Sequence, residues 1–521
     1  MEVFHKQLDI YGDELIINDY IPADGTYIIV GKDGDILSNQ NIIYDKKTKT
    51  INMTADLKTI CYYDYYSGLL SMNKPIDPKK IIHSNNYLSF YIKKDSLVTG
   101  KLTDEIIEDY YNILSNLKIK YIKNKGEDIY DNLIKRIGEV DILQLERCKQ
   151  WIKTNIFSIE ELGVDISKKD YLKIFFEADM QTYSSESNRY IMPSIYNNNE
   201  YNIQINNQIY GLPNDNLGMN AKKPYLSIKT RKVPASYLIN IEDAVKQKKF
   251  FDYLMNFAKQ GKLNVYVNLD NSTIKAYENN EMPSAVESGY FLRIQKGMEV
   301  EIHNQDVIPY YSNMLNKVFE YNDFIKSNYI KASHNSFAYS TYNTRKEIEM
   351  MINQVLFSNF LISNYFTKGE ELNINDGCLK NCLLFARDAV FDWAYKGIDR
   401  GMQQVIDKVS LRLVKGSLLN GYRTKAISQF NLRWSLLKYF NQGEHNMADK
   451  FNIIRKSLKE KIISKSTNTI ESDDEYYYAI GQLAGYFLSL SKTKNKTQSL
   501  INPFINAKTE TALKEKLKQC Y

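Results

Sequence analysis

Between Asn214 and Lys232 the chain reads Asn-Asp-Asn-Leu-Gly-Met-Asn-Ala-Lys-Lys-Pro-Tyr-Leu-Ser-Ile-Lys-Thr-Arg-Lys, with one acid, Asp215, against five bases, Lys222, Lys223, Lys229, Arg231 and Lys232. Asn214, Asn216 and Asn220 tolerate left-handed backbone, and Gly218, lacking a Cβ, lets another backbone come close. A phosphate chain or a base edge is such a partner. From Lys223 the order Lys-Pro-Tyr-Leu-Ser-Ile-Lys-Thr reads as a strand that holds the loop. The competing reading is a solvated surface loop, because lysine and asparagine are abundant throughout the chain.

Two further stretches carry comparable chemistry. In Asn73-Lys-Pro-Ile-Asp-Pro-Lys-Lys-Ile-Ile-His-Ser-Asn-Asn86 two prolines set an extended arm that holds Lys74, Lys79, Lys80, His83, Asn85 and Asn86. That composition suits contacts to a nucleic-acid backbone, and a plain connector explains it equally well. Between Asp407 and Glu444 there is no acid, while Lys408, Arg412, Lys415, Arg423, Lys425, Arg433 and Lys438 are all basic. The overall charge of +6 hides this asymmetry: from Arg345 onward 27 bases face 18 acids, and the residues before it carry a small negative excess. One-sided charge on a long segment implies a polyanionic partner.

Signatures of bond-making chemistry are missing. There is no Gly-x4-Gly-Lys-Ser/Thr loop, no Gly-x-Gly-x-x-Gly, no His-Asp doublet and no Gly-Gly-Asp-Asp. His5, His83, His303, His334 and His445 are scattered, and Cys378-x3-Cys382 has no second pair to complete a zinc site, so both cysteines read as core thiols. No metal or other cofactor is expected, and a binding or scaffolding protein is favoured over an enzyme. Five cysteines without a paired framework argue for a reducing compartment. The start shows no signal-peptide pattern, and the apolar candidate Tyr476 to Ser491 is too short and polar for a bilayer. A cytoplasmic protein with no membrane partner is expected.

The elements that must position these residues are mixed. A length of 521 residues calls for more than one domain. Tyr27 to Val30 and Ile42–Ile43 flank an Asp33-Gly34 turn, as in a hairpin, and Tyr87 to Ile92 reads as a strand. Leu102 to Leu117, Val140 to Ile156, Lys168 to Ala178 and Ile241 to Ala258 have helical spacing. Leu263 to Leu269 is a strand, and Tyr290 to Ile294 pairs with Val300 to Ile302. After about residue 345 helices follow one another, at Lys346–Phe366, Cys378–Tyr395, Met402–Lys415, Tyr422–Phe440, Asn446–Ser464, Asp473–Ser491 and Glu510–Gln519. Ser158-Ile-Glu-Glu161 and Ser472-Asp-Asp-Glu475 have the capping-box form, and Gly481 and Gly485 would admit a neighbouring helix. The fold class is α+β: a large mixed α/β domain, 1–340, followed by an all-α helical bundle, 341–521.

The run Arg423-Thr-Lys-Ala-Ile-Ser-Gln-Phe-Asn-Leu-Arg-Trp-Ser-Leu-Leu-Lys-Tyr-Phe440 and the segment Tyr478-Ala-Ile-Gly-Gln-Leu-Ala-Gly-Tyr-Phe to Asn502-Pro-Phe504, with the arm and the Gly218 loop, give a further lead. Together they resemble the large subunit, the Cas-eight b-type protein, of type I-B CRISPR Cascade. The resemblance implies a non-enzymatic subunit that recognises the PAM in target double-stranded DNA, aids strand opening and supports recruitment of a helicase-nuclease. Its implied partners are the crRNA and the backbone, handle-end and small subunits. On this reading Asn216, Gly218, Asn220, Lys222, Lys223, Lys229 and Arg231 face the PAM duplex. Lys74, Lys79, Lys80, His83, Asn85 and Asn86 face the crRNA handle or backbone. Lys408, Arg412, Lys415, Arg423, Lys425, Arg433 and Lys438 line the displaced strand, with Tyr422 or Trp434 available to stack on bases. The bundle would resemble the small subunit, and Met350, Met351 and Met402 are internal starts from which that product could be made. The alternatives are a metal-dependent nuclease built from scattered carboxylates and a helical protein-interaction module.

Overall fold

A computed structural model describes the chain except for residues 46, 53–55, 123–125, 215–227, 229, 236, 298, 326–336, 441–446, 465–468, 491–501, 508 and 521. Sheets occupy the N-terminal half and helices the C-terminal region, an α+β fold. Two compact units divide it: Met1–Ala276 with Leu292–Asp306, and Tyr277–Phe291 with Val307–Tyr521. The second unit therefore begins well before the change from strand to helix at Arg345 and takes in several short strands.

In the first unit the expected hairpin forms from β1, Gly25–Val30, and β2, Ile36–Ile42. Gly34 supplies the left-handed turn residue at φ 91°. Two more strands, β3 at Ser89–Lys93 and β4 at Tyr171–Phe176, complete a sheet of order β2-β1-β4-β3. β4 runs parallel to β1 and antiparallel to β3. Gly25 lies opposite Tyr171, where a Cβ would collide with the Tyr171 carbonyl, so this close strand approach requires glycine.

β4 corrects the helix expected at Lys168 to Ala178. A short run such as Tyr-Leu-Lys-Ile-Phe-Phe cannot be told from a buried helix by spacing alone. Here helices cover both faces of the sheet, so both sets of side chains are apolar and strand alternation disappears. Phe175 packs on Tyr63 of the Leu57–Ser67 helix, and Phe176 meets Trp151 of the Ile142–Asn155 helix on the other face. The one charged residue inside, Lys173, pairs with Asp64 at 2.5 Å, the two side chains being 8% and 1% exposed.

A second sheet consists of β5, Asn264–Asn268, β6, Thr273–Tyr277, β7, Gly289–Lys296, and β8, Val300–Ile308, in the order β6-β5-β7-β8. The β7 and β8 pairing expected from sequence is present. Val265, Ile294 and Val300 pack here with Phe250 and Leu254 of the Ile241–Lys259 helix and with Phe4 and Leu8 of the Glu2–Tyr11 helix.

Helices dominate the second unit, although three of the expected ones are interrupted, one of them where the Gly377–Phe391 helix passes into a π-turn, Asp392–Lys396. Thr344 and Glu347 form a capping box before the Arg345–Met351 helix, which continues as a π-turn, Ile352–Leu356, in place of one long helix to Phe366. Another π-turn, Val405–Ser410, joins Met402–Gln404 to the Leu411–Leu419 helix. Of the two boxes read from sequence, Ser472 caps the Glu475 amide at 3.2 Å, whereas Ser158 lies inside a 3-10 segment, Ile156–Leu162. At Gly481 and Gly485 a Cβ would meet nothing within 4 Å among the described residues.

Removing one member of the buried pair leaves the other charge without a partner, which costs about 3–5 kcal/mol. Lys173→Met is expected to lower the exchange protection of the β4 amides by about that amount, and Lys173→Met with Asp64→Leu to recover most of it. Hydrogen exchange read by mass spectrometry checks this; equal protection in wild type and single variant would remove the pair from the core's support.

Candidate nucleic-acid interface

The arm and the root of the Gly218 loop meet in the first unit. Pro213 bridges to Tyr196, and the Asn214 amide donates to the Ile195 carbonyl at 2.6 Å, which fixes where the loop leaves. Asn216, Gly218, Asn220, Lys222, Lys223 and Lys229 lie outside the described residues. Arg231, at the far root, is exposed.

Within the arm, Asp77 organises the turn by accepting from the amides of Lys79, Ile81 and Ile82 at 2.7–3.0 Å. Lys79 and Lys80 are held exposed, Lys80 at φ 60°, and neither has a carboxylate partner among the described residues. The other members of the arm correct the expectation of backbone contacts. Asn85 donates to the Gly68 carbonyl and Ser187 Oγ, while Asn86 donates to the Tyr66 carbonyl and accepts from the Leu88 amide. Both are at most 1% exposed. A buried amide must be satisfied internally, so these two hold the chain and have nothing to offer a ligand. His83 packs against Tyr171 with Nε2 at 3.0 Å from the Lys80 carbonyl, and burial pushes its pKa down.

Lys74 is turned inward as well. Its Nζ donates to the Ser194 carbonyl at 2.8 Å and to that of Tyr196, the residue bridged to the loop root. Beside it Lys120, from the short Lys118–Ile122 helix, donates to the Pro75 carbonyl. Both lysines line a cleft of about 270 Å³ with Asn73, Asn197, Asn198 and Asn199. Burial, and then the charge of Lys120, bring the Lys74 pKa down to about 8. Sequence reading missed Lys120 and the asparagine triplet. The triplet is visible in the chain, but nothing there tells that a lysine 78 positions earlier faces it.

In the second unit the acid-free segment presents an exposed stripe. Lys408, Arg412 and Lys415 follow at i, i+4 and i+7 from the π-turn into the Leu411–Leu419 helix, all exposed and without an ion-pair partner among the described residues. Tyr422, 59% exposed, and Arg423 follow at the start of the Arg423–Phe440 helix.

Other members of the segment are engaged. Arg433 donates to the carbonyls of Ile406 and Asp407 and to Ser410 Oγ, which ties down the π-turn beneath Lys408. Lys438 pairs with Glu320 at 2.7 Å, and Lys425 is half-buried. Trp434 is half-buried and packs edge-on against Phe430, so it is not an open stacking face. Cys382 is buried, its thiol pushed up to about 12 by burial, and the half-buried Cys378 sits 3.9 Å from the Arg412 carbonyl.

The depressed Lys74 pKa has a signed consequence. Below about pH 8 the ammonium is charged in both states and the burial penalty is fully present. Between that value and the unfolded lysine pKa of about 10.4, the unfolded chain holds a proton that the folded one has shed, so stability rises with pH. Against a Lys74→Met variant, wild type should therefore gain melting temperature from pH 8 to pH 10. A difference that does not change with pH would show Lys74 to be solvated.

No family model, curated protein or solved structure matches this chain.

Proposed function

We propose that this chain is a non-catalytic nucleic-acid-binding subunit, namely the large subunit of a type I-B CRISPR RNA-guided complex. It would recognise the PAM in duplex DNA, aid strand opening and support recruitment of the helicase-nuclease. The sequence resemblance supplies the family. The observation that carries the nucleic-acid reading is the stripe of Lys408, Arg412 and Lys415, exposed on one helical face with no carboxylate against it among the described residues. A phosphate backbone supplies the missing negative charge, and binding is driven by the counterions it releases. Arg433 would act here as a positioning residue, because its Nη1 donates to the turn that carries Lys408.

The division of labour would follow from chemistry. Guide pairing reads the long sequence, while protein groups read two or three base pairs and the backbone. Lys79 and Lys80 are the arm's exposed cations for the crRNA handle. The Asn216 to Lys223 loop has donors suited to groove acceptors.

Two measurements test this. Replacing Lys408, Arg412 and Lys415 together by Gln should weaken binding to all DNA sequences and flatten the plot of log affinity against log salt by about 2–3, at ~0.9 per phosphate contact. Asn220→Ala should instead reduce discrimination between PAM and non-PAM duplexes with little change in that slope. An unchanged slope in the triple variant removes the stripe from the interface. Recovery of a tagged chain without a small RNA of uniform length from its host, or cleavage of labelled DNA with Mg²⁺ by the purified protein, would overturn the assignment.

A further inference from the structure

The cleft formed by Lys74, Lys120 and the asparagines holds two cations and, among the described residues, no anion. Each ammonium has three N–H donors. Lys74 spends two, on the Ser194 and Tyr196 carbonyls, and Lys120 one, on the Pro75 carbonyl. Three N–H groups therefore remain without an acceptor among the described residues. No carboxylate lines the cleft, and neither lysine has an ion-pair partner among the described residues. Glu200, exposed, accepts from Asn198 Nδ2 at 3.4 Å.

Two like charges brought together out of bulk water repel each other and lose hydration. Structural lysines that only tie down carbonyls have no need to share one cleft, and an arrangement that disfavours its own charges marks a site whose counter-charge comes from outside. The mouth is lined by side-chain amides, which can donate but add no negative charge.

We propose that this cleft binds the phosphate monoester group of a ligand, with Lys74 and Lys120 as its charge partners and Asn73 at the mouth. Charge selects the monoester: it carries about −1.5 to −2 near pH 7, which two lysines balance, whereas a phosphodiester or a carboxylate carries one negative charge. Size agrees. At about 270 Å³ the cleft falls below the roughly 300–1,000 Å³ of sites that enclose a whole small molecule. It therefore takes the phosphate and leaves the rest of the ligand outside. The group can come from a free phosphate compound or from the phosphorylated end of a nucleic acid. The inference does not rest on the Cascade reading.

The test uses the full chain with inorganic phosphate, followed by ³¹P line broadening at constant ionic strength with chloride as the control anion. Saturable broadening is expected, weakened tenfold or more by Lys120→Gln and unchanged by the Lys408, Arg412 and Lys415 replacement. Should Lys120→Gln melt below wild type, Asn73→Asp, an exposed change that puts a negative charge at the mouth, is expected to weaken binding likewise and Asn73→Lys to strengthen it. A second arm compares a short oligonucleotide bearing a 5′-phosphate with its 5′-hydroxyl form. A tenfold preference for the phosphorylated end assigns the site to a nucleic-acid terminus. Equal binding of the two, with saturable inorganic phosphate, assigns it to a small phosphate compound. Absence of saturation up to about 10 mM phosphate, or equal binding by wild type, Lys120→Gln and Asn73→Asp, overturns the proposal.

Discussion

A lysine cannot enter an apolar core without a partner, and in the first unit that constraint organises the main sheet. Lys173 sits on β4, between β1 and β3, and reaches Asp64 on the Leu57–Ser67 helix. The rings of Tyr91 and Tyr27 lie 4.6 and 5.1 Å from its ammonium, and the hydroxyls of Tyr20 and Tyr27 donate to the Asp64 carboxylate. A slip of β4 by one residue would turn Lys173 to the opposite face, toward Trp151 and away from Asp64. The pair thus specifies register, whatever its net contribution to stability.

That register carries through to the cleft. The helix after β4, Met180–Ser194, ends at Ser194 and leads into Tyr196, so the carbonyls that receive Lys74 are placed by the sheet that β4 completes. Tyr183 and Tyr190 fasten the same helix, Tyr183 to the Leu88 and Phe176 carbonyls and Tyr190 to the Lys74 carbonyl. The arm is therefore held from both ends of one helix. Its polar residues divide by depth: those near the helix are consumed as ties, and those at the outer turn, Lys79 and Lys80, stay in water. In the second unit the same division appears along the acid-free segment, where Arg433 is consumed by the π-turn and Lys408, Arg412 and Lys415 are not.

Much of this was legible in the amino-acid order. The Asp33-Gly34 hairpin, the α+β division and the helices at Asp104–Ser115, Ile142–Asn155 and Ile241–Lys259 follow from turn chemistry and spacing. β4 was not legible, because burial on both faces erases the alternation that marks a strand. Nor were the interruptions at Ile352–Leu356 and Val405–Ser410, since a π-turn shifts the helical phase without any glycine or proline to announce it.

The sequence by itself determined where the charge lies: an acid-free run after Asp407, a lysine-rich arm with two prolines, and a basic glycine-asparagine loop between Asn214 and Lys232. Only the tertiary structure decided which of those groups remain available. Asn85, Asn86 and Arg433 have the same chemistry as their neighbours, but packing buries the two asparagines, whose donors must be paired within the fold, and the half-buried Arg433 is turned onto the carbonyls of Ile406 and Asp407. The meeting of Lys74 with Lys120 and the asparagine triplet was likewise a matter of chain path, because residues that far apart become neighbours only when the sheet and its helices have closed around them.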